Sequence, residues 1–355
     1  MNRRVLLPLC LLMLTAVVAA SGDAWAEPWK FVVMADSQSG GDDNDNGVGT
    51  RTLGAVAKDV ATNVKPDLVL FAGDLVQGAG DEAGLESQLM TFRKTMAPVY
   101  DANIPVYAIR GSHDTGPNEY RPWGLAVWNK VFSGRYAMPT NGPDGEKGCT
   151  YSVKHKNAMF IGMDCYSALD TMTLNLPWVK KQLDTNTQPH VFSFSHTQIK
   201  RVEHTESLDN LPAIRNPLVA MLRAAGGRTY FCGHMHLANV TALNDTQADP
   251  QNKSLDDDFF QVICPPAGRK FYIWPAKYVG NPIPGLKPHL IINRHKRPGY
   301  TVVTVDGPAV DIKFMLQSGD KFEPLPAVKY SVKPTTQPAA AQPASPADAQ
   351  AQPSR

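Results

Sequence analysis

The sequence predicts an α/β fold: a four-layer αββα sandwich of two mixed sheets that face each other and are flanked by helices. The first hundred residues alternate apolar strands with helical segments in the order βαβαβ, and strands joined in this way pair in parallel through right-handed crossovers. The second half contains an alternating hairpin, which is typical of antiparallel pairing. Sheets of both kinds bury their apolar faces by stacking in layers.

The strands of the first half each end in a turn that carries polar residues. Three apolar runs are predicted as strands, with two helices between them: strands Lys30–Met34, Leu68–Ala72 and Pro105–Ile109, and helices Thr52–Asn63 and Glu82–Asp101. The first two strands lead to Asp36 and Asp74. Because functional groups collect beyond the carboxyl ends of parallel strands, we expect these turns to lie together.

The second half begins with a hairpin, Thr150–His155 and Ala158–Asp164, around the short turn at Lys156 and Asn157. Its segments alternate apolar and polar residues, which favours antiparallel strands. The elements predicted after it are helix Trp178–Leu183, strand Val191–Ser195, helix Pro217–Ala225, and strands Tyr230–Cys232, Phe259–Cys264, Tyr300–Val305 and Val310–Met315.

The amino terminus has the pattern of a secretory signal peptide over residues 1–26. Arg3 and Arg4 precede the apolar run Val5–Ala20, and a small-x-small cleavage signal ends at Ala26. A membrane anchor is the weaker interpretation, because the run is shorter than the about 20 residues that a spanning helix needs. We therefore predict a periplasmic or secreted protein with no stable membrane span.

Two other export routes are weaker alternatives to the general secretory pathway. Lipidation at Cys10 is disfavoured because Leu9, rather than a small residue, precedes it. The arginine pair matches a twin-arginine signal only in part.

The carboxyl terminus, residues 333–355, is almost entirely Pro, Ala, Gln and Ser. Such a segment buries too little apolar surface to offset the entropy of ordering it, so we predict a disordered tail. Residues 27–332 contain no second linker of this kind and are predicted to form one domain. The chain has 35 basic and 33 acidic residues, a balance that argues against binding a nucleic acid duplex or a membrane surface by bulk charge.

Four cysteines follow the signal peptide: Cys149, Cys165, Cys232 and Cys264. An oxidising compartment permits two disulfides among them, and Cys149 and Cys165 flank the hairpin and can meet across it. The alternative is that cysteines such as Cys232 and Cys264, which end apolar runs, are small buried hydrophobes.

The polar turns carry a set of carboxylate, amide, hydroxyl and imidazole groups. In chain order they are Asp36, Gln38, Asp74, Ser112, His113, Asp114, His196, His234 and His236. Carboxylates mixed with imidazoles, without cysteine, favour Mn, Fe, Zn or Co over calcium or a structural zinc site. His234 and His236 are two residues apart, which places them on one side of an extended segment.

This set resembles the calcineurin-like metallophosphoesterase family of the metallo-dependent phosphatase superfamily, whose pattern is D-x-H, G-D, G-N-H-D/E, H and G-H-x-H. The resemblance runs from about Phe31 to His236, and the later strands fit the family's second sheet. It implies that residues 27–332 form a metallophosphoesterase domain, a hydrolase of phosphoric ester bonds with two divalent or trivalent transition metal ions.

The resemblance also implies a role for each residue. The first metal would be held by Asp36, Gln38, Asp74 and His236, and the second by the bridging Asp74 with Ser112, His196 and His234. His113 would be a catalytic group near the phosphate, and Asp114 would orient its ring. A hydroxide shared by the two metals would attack a phosphodiester or nucleotide-type substrate, so the expected partner is a small phosphorylated molecule. The oligomeric state stays open.

Two positions depart from the family pattern. Gln38 stands where the family has histidine, and glutamine there occurs in some diphosphatase-like branches; an amide is a weaker donor to a transition metal. Ser112 replaces an asparagine with a shorter and poorer ligand. One interpretation is a retuned active site. The alternative is a catalytically silent member that binds metal or phosphate.

Two further segments carry weaker signals. Asp42–Gly47 resembles half of a calcium loop, but Leu53 occupies the twelfth position, so a flexible solvated loop is the preferred interpretation. Arg269–Gly299 is rich in aromatic and basic residues and forms either a substrate rim or a covering over the core. The remaining histidines are predicted to be ordinary surface residues: His155, His190, His204, His289 and His295.

Overall fold

The computed structural model describes residues 27–115, 123–166, 172–202, 206–243, 258–272, 286–291 and 296–332. The predicted signal peptide (1–26) and tail (333–355) lie outside these ranges, as do His204, His295, the side chain of His289 and most of the predicted rim. Those expectations stay predictions.

The described elements follow one another in the order that the strand and helix patterns predict, with additions. The strands are β1 (Trp29–Met34), β2 (Gln38–Gly40), β3 (Asp43–Val48), β4 (Leu68–Ala72), β5 (Val106–Ile109), β6 (Tyr151–His155), β7 (Ala158–Gly162), β8 (His190–Phe194), β9 (Thr229–Cys232), β10 (Asn239–Leu243), β11 (Phe259–Ile263), β12 (Leu286–Ile291), β13 (Gly299–Asp306), β14 (Ala309–Ser318) and β15 (Lys321–Ser331). The helices are α1 (Thr50–Asp59), α2 (Glu82–Thr95), α3 (Ala97–Asp101), α4 (Gly124–Val131), α5 (Leu176–Asp184) and α6 (Pro212–Ala224).

The first large sheet has the strand order β15-β14-β13-β1-β4-β5. β1 pairs in parallel with β4, and β4 with β5, which confirms the predicted βαβαβ unit. β13 and β14 were expected in the second sheet, and that prediction was wrong. β13 pairs antiparallel with the other edge of β1, with Trp29 opposite Val305, so these strands extend the first sheet and bury Val303 and Ile312 in its core.

The second large sheet has the order β12-β10-β11-β9-β8-β7-β6. β6 and β7 form the predicted antiparallel hairpin, while β7, β8, β9 and β11 run parallel to one another. Both sheets are therefore mixed. Their parallel strands supply carboxyl ends at which functional groups can gather.

Aromatic rings fill the space between the two sheets. Phe31 of β1 lies with its ring centroid 5.0 Å from Phe160, 4.9 Å from Phe192 and 6.0 Å from Phe231 of the second sheet. All four rings are buried, and the steep tilts of the three rings against Phe31 suit the charge distribution of aromatic faces and edges. This contact joins β1 to β7, β8 and β9 and fixes how the sheets face each other.

Helices cover the outer faces. Leu53 of α1 and Leu89 of α2 are buried in the same core as β1 and β4. Val179 of α5 and Leu218 of α6 belong to a separate core with Val191 of β8. The predicted four-layer αββα sandwich is therefore the observed fold.

The predicted helix Glu82–Asp101 is divided into α2 and α3 around Met96. Pro98 lies in the first turn of α3. Proline lacks an amide hydrogen, so it fits the first turn of a helix without loss of a hydrogen bond and disrupts the helix further along. The sequence pattern had predicted one continuous helix without this break.

The loop predicted near Asp42 is an antiparallel ribbon of β2 and β3. Asp43 is buried there, and its carboxylate accepts hydrogen bonds from the amides of Arg51 (3.1 Å) and Thr52 (2.8 Å) at the start of α1. This carboxylate therefore stabilises a helix terminus. The segment is thus a paired ribbon rather than a loop, although Asn44, Asp45 and Asn46 are exposed to solvent as expected.

All four cysteines are buried and free, which agrees with the buried-hydrophobe alternative. His190 is also buried, and its Nε2 lies 2.8 Å from the carbonyl oxygen of Gly307, so its assignment to the surface was wrong. In the described ranges, no helix has the length and apolar character that crossing a bilayer requires.

Candidate metal centre

The predicted site residues lie where strands of the two sheets end side by side. Asp36 and Asp74 follow β1 and β4 of the first sheet, and His196 and His234 follow β8 and β9 of the second. Main-chain hydrogen bonds join neighbouring turns: the Asp36 amide donates to Gly73 (3.1 Å), and the Gly233 amide donates to His196 (3.1 Å). The packing of the sheets thus brings residues far apart in sequence to one place.

Two groups of side chains could each hold a metal ion. One consists of Asp74, His196 and His234, and the other of Asp36, Asp74 and His236; within each, the ligand atoms lie within 4.8 Å of one another. Asp74 belongs to both groups. Its position between them is the one that the resemblance implies for a bridging ligand, although the role of each residue as a ligand stays a prediction.

The distances in the first group suit a single ion. Asp74 Oδ2 lies 3.1 Å from His196 Nε2, and that nitrogen lies 3.2 Å from His234 Nδ1. Two ligand atoms that are each about 2.1 Å from one ion are separated by at most about 4.2 Å. In the second group, His236 Nε2 lies 3.8 Å from Asp36 Oδ1, which is also within that limit.

Gln38 and Ser112, the two departures from the family pattern, both reach the site. The amide nitrogen of Gln38 lies 3.0 Å from Asp74 Oδ2 and 3.3 Å from His236 Nε2. A half-turn of the amide exchanges its nitrogen and oxygen, so the carbonyl can also face this group. Ser112 lines the cavity in front of the cluster.

Two oxygen atoms of the cluster are buried without a hydrogen-bond partner among the described residues: Asp36 Oδ2 and Gln38 Oε1. Buried polar atoms are seldom left unsatisfied. Oxygen and imidazole donors together suit the transition metals on which the family depends. The residues present therefore fit a metal centre.

Main-chain carbonyl groups orient two of the imidazoles. His196 Nδ1 lies 2.9 Å from the oxygen of Ala72, and His236 Nδ1 lies 3.1 Å from that of Lys270. A carbonyl oxygen only accepts, so Nδ1 carries a proton and Nε2 is the nitrogen that faces the cluster. Such outer partners set the tautomer and orientation of metal-binding histidines. Lys270 lies outside the predicted ligand set.

Burial and close charges shift the pKa values of the cluster. Burial raises the pKa of Asp36 to about 7 against the effect of His196, with Asp74 raising it further. Burial also acts to raise the pKa of Asp74, but the neighbouring His196 and His113 hold it well below its usual value. Burial and the charge of Lys270 lower the pKa of His236 to about 3, which leaves that imidazole neutral and able to bind a cation.

The backbone at the site is strained. Four residues adopt the left-handed region: Asp36 (φ 55°), Asp74 (φ 52°), His234 (φ 69°) and His236 (φ 49°). This conformation costs roughly 1–3 kcal/mol for each non-glycine residue, and such residues concentrate at functional sites. The strained turns aim side chains from the ends of three strands, β1, β4 and β9, at a common point.

Glycines near these turns have two roles. Gly73 makes a sharp turn, with φ 81°, whereas Gly111 and Gly233 allow close packing. A Cβ atom on Gly111 would lie 2.2 Å from Asp74 Oδ1, and one on Gly233 would lie 2.7 Å from Asp36 Oδ2. These glycines are required because the carboxylates pack directly against the main chain.

His113 lies at the edge of the cluster. Its amide donates to Asp74 Oδ1 (3.0 Å), and its ring Nδ1 lies 2.7 Å from the carbonyl oxygen of Gln77. Asp114 was expected to orient this ring. Its buried carboxylate instead accepts from the main-chain amides of Leu75 (3.0 Å) and Gly111 (2.8 Å), so it holds the turns together and Gln77 orients the ring.

A cavity of about 240 Å³ opens in front of the cluster. It is lined by Asp74, Ser112, His113, Glu206, His234, His236, Lys270 and Tyr272. Glu206 was not predicted, since its neighbourhood in the sequence carries no recognisable signal. Lys270 and Tyr272 belong to the segment that the sequence analysis left open between a rim and a covering, and these two residues lie at the rim.

Comparison with known proteins places the chain in a family. The family model described as calcineurin-like phosphoesterase matches residues 30–238. A curated relative, the probable glycerophosphodiester phosphodiesterase GpdQ of Arcobacter nitrofigilis, is 25% identical over 221 residues, which is 59% of this chain and 74% of the relative.

Solved structures show the same fold. Purple acid phosphatase PPD1 from yellow lupin (Lupinus luteus) seeds has a TM-score of 0.62 and 15% identity; the alignment covers 86% of this chain and 54% of that protein, about half its length. A dimetal phosphatase from Danio rerio has a TM-score of 0.52 and 10% identity, with coverage of 84% and 99%. The chain belongs to the calcineurin-like phosphoesterase family and is a hydrolase that acts on phosphoric esters.

Proposed function

We propose that the protein is an exported phosphoesterase with two metal ions that hydrolyses phosphodiesters or nucleotide-type phosphate esters. The observation that carries this proposal is the position of Asp74, which contributes to both groups of potential ligands. A carboxylate with two oxygens can serve two ions at once. The bound pair would supply Lewis-acid activation of water and neutralise charge on the phosphoryl oxygens.

The chain's own residues would hold the two ions. Asp36, Gln38 and His236 would hold the first ion, and His196 and His234 the second, with Ser112 as a weak additional ligand. The donor set is compatible with Mn, Fe, Zn or Co. The strained turns fix the ligands before any ion arrives, so little reorganisation accompanies binding.

His113 is the proposed catalytic group. The Gln77 carbonyl fixes its Nδ1, so a second proton would reside on Nε2. The ring lines the cavity, where that proton can pass to the leaving oxygen or stabilise negative charge in the transition state. Asp114 supports the role of His113 indirectly, because its carboxylate joins the Gly111 turn to the turn that follows Asp74.

The name of the curated relative, a probable glycerophosphodiester phosphodiesterase, supports a phosphodiester substrate. A cavity of about 240 Å³ suits a small phosphorylated molecule. The pattern of residues 1–26 supports export to the periplasm or beyond.

The test is a comparison of bis(p-nitrophenyl) phosphate and p-nitrophenyl phosphate with purified protein loaded with Mn²⁺. We expect hydrolysis that is lost on chelation and restored by Mn²⁺, with the diester as a substrate. If the protein binds metal but hydrolyses neither ester, the proposal is overturned. That result would favour a family member that binds metal or phosphate without turnover.

A further inference from the structure

The segment 267–272 lies beyond the part of the chain that matches the family, which ends at residue 238, yet it forms a wall of the cavity. Hydrogen bonds anchor it to the turns that carry potential ligands. The amides of Ala267 and Gly268 donate to the carbonyl oxygens of Ala35 (2.8 Å) and Asp36 (3.0 Å). Further along, the Lys270 carbonyl accepts from the His236 ring (3.1 Å). The position of this wall is therefore tied to that of the metal centre.

Close packing adds to this anchoring. A Cβ atom on Gly40 would lie 2.5 Å from the amide nitrogen of Lys270, and one on Gly268 would lie 2.7 Å from the carbonyl oxygen of Gln38. Only glycine at both positions allows the two main chains to approach so closely. Lys270 is thus presented to the cavity from a fixed backbone.

The side chain of Lys270 places a cation at the cavity. Its neighbours in the cavity wall include His236 and Tyr272, and its ammonium lies 5.7 Å from the centre of the Tyr272 ring. Within the described ranges, no carboxylate lies within 4.0 Å of this ammonium. A cation next to a metal centre is repelled by the bound ions, and an anionic ligand in the cavity relieves that repulsion.

Glu206, another residue that lines the cavity, carries the opposite charge. Glu206 Oε2 lies 3.9 Å from His234 Nε2, beside the group formed by Asp74, His196 and His234. An anionic substrate is repelled by Glu206 and attracted towards Lys270. The negative charge of Glu206 and the positive charge of Lys270 can together orient a phosphoryl group in the cavity.

We propose that Lys270 binds a non-bridging oxygen of the substrate's phosphoryl group and so favours substrates with more negative charge. This inference rests on the proposed function and adds a determinant of specificity outside the family's motifs. A phosphomonoester carries a second negative charge that a diester lacks, and the Coulomb attraction of a cation grows with the charge of its partner.

The experiment compares Lys270→Gln and Lys270→Arg with the wild type, using p-nitrophenyl phosphate, bis(p-nitrophenyl) phosphate and inorganic phosphate as an inhibitor. For Lys270→Gln we expect the inhibition constant of phosphate to rise by about 10- to 100-fold, the range of a hydrogen bond to a charged group. The kcat/KM for the monoester should fall further than that for the diester. Lys270→Arg, which keeps the positive charge, should retain much of the contribution that Lys270 makes to kcat/KM for the monoester.

Arg269→Gln is the matched control. Arg269 is the adjacent cation, but it pairs with Asp42 at 3.5 Å and its side chain is 43% exposed, so phosphate inhibition should not change. Equal losses for both esters in Lys270→Gln, with unchanged inhibition by phosphate, would overturn the inference while leaving the proposed function intact. If the wild type hydrolyses neither ester, the proposed function fails, and calorimetric titration of the metal-loaded variants with phosphate alone decides the role of Lys270.

Discussion

Asp74 Oδ2 lies 3.1 Å from His196 Nε2, although 122 positions separate these residues and they follow strands of different sheets. The contact exists because β4 and β8 end at the same edge of the sandwich. Asp74 also belongs to the group formed with Asp36 and His236. A single carboxylate therefore connects the two halves of the candidate metal centre, and several predictions depend on it.

Asp74→Ala should lose metal and activity together, because the substitution removes a ligand from both groups. His113→Ala should keep its metal and lose turnover by about 10²- to 10⁴-fold, the usual contribution of acid–base catalysis. Elemental analysis of the purified variants, paired with rates on the diester, measures both quantities. An equal loss of metal in the two variants would refute this division of roles.

Ser112→Asn should strengthen binding at the group of Asp74, His196 and His234, since an asparagine side chain reaches further and offers a carbonyl oxygen. We expect the apparent affinity for the second Mn²⁺ to rise about tenfold or more, within the range that changes around metal sites produce. Titration calorimetry gives this affinity. Ser112→Ala is the control, and no difference between the two variants would show that position 112 is not a ligand position.

Gly233→Ala should disturb the centre while the fold persists. The added Cβ would lie 2.7 Å from both Ala35 Cβ and Asp36 Oδ2, so the Asp36 carboxylate has to move. Metal content should fall, whereas the far-ultraviolet circular dichroism spectrum should stay unchanged. Gly80→Ala is a matched control because, apart from its chain neighbours, no atom of the described residues lies within 4 Å of its added Cβ; a similar loss of metal in both variants would contradict the packing argument.

Phe31→Ala should destabilise the whole sandwich, because its ring meets three rings of the second sheet. Removing a large buried aromatic residue typically costs about 3–5 kcal/mol of unfolding free energy. Chemical denaturation measures this loss. Phe322→Ala provides the comparison, since Phe322 is only partly buried; an equal effect of both changes would argue against Phe31 as the central contact between the sheets.

Much of the site was predictable because its signals are local. Asp36, Asp74, His196 and His234 each follow the end of an apolar strand by one or two residues, and the order of these turns carries the family pattern. Which sheet each strand joins was not predictable in this way. β13 and β14 were assigned to the wrong sheet because their alternation suits either one, and the free edge of β1 that accepts β13 is a property of the assembled sheet.

The orientation of the site residues could not be predicted from the sequence either. Lys270 follows His236 by 34 positions, and its carbonyl reaches the ring only because segment 267–272 returns across the first turn. The expected partnership of Asp114 with His113 was wrong for a similar reason. A carboxylate beside a histidine in sequence need not face it, and Asp114 faces main-chain amides instead.

Anomalous diffraction from crystals loaded with Mn²⁺ tests the central claim most directly. The account predicts two peaks, about 3.5–4 Å apart as in other two-metal sites, one on each side of the Asp74 carboxylate. A single peak, or peaks that do not contact Asp74, would contradict it.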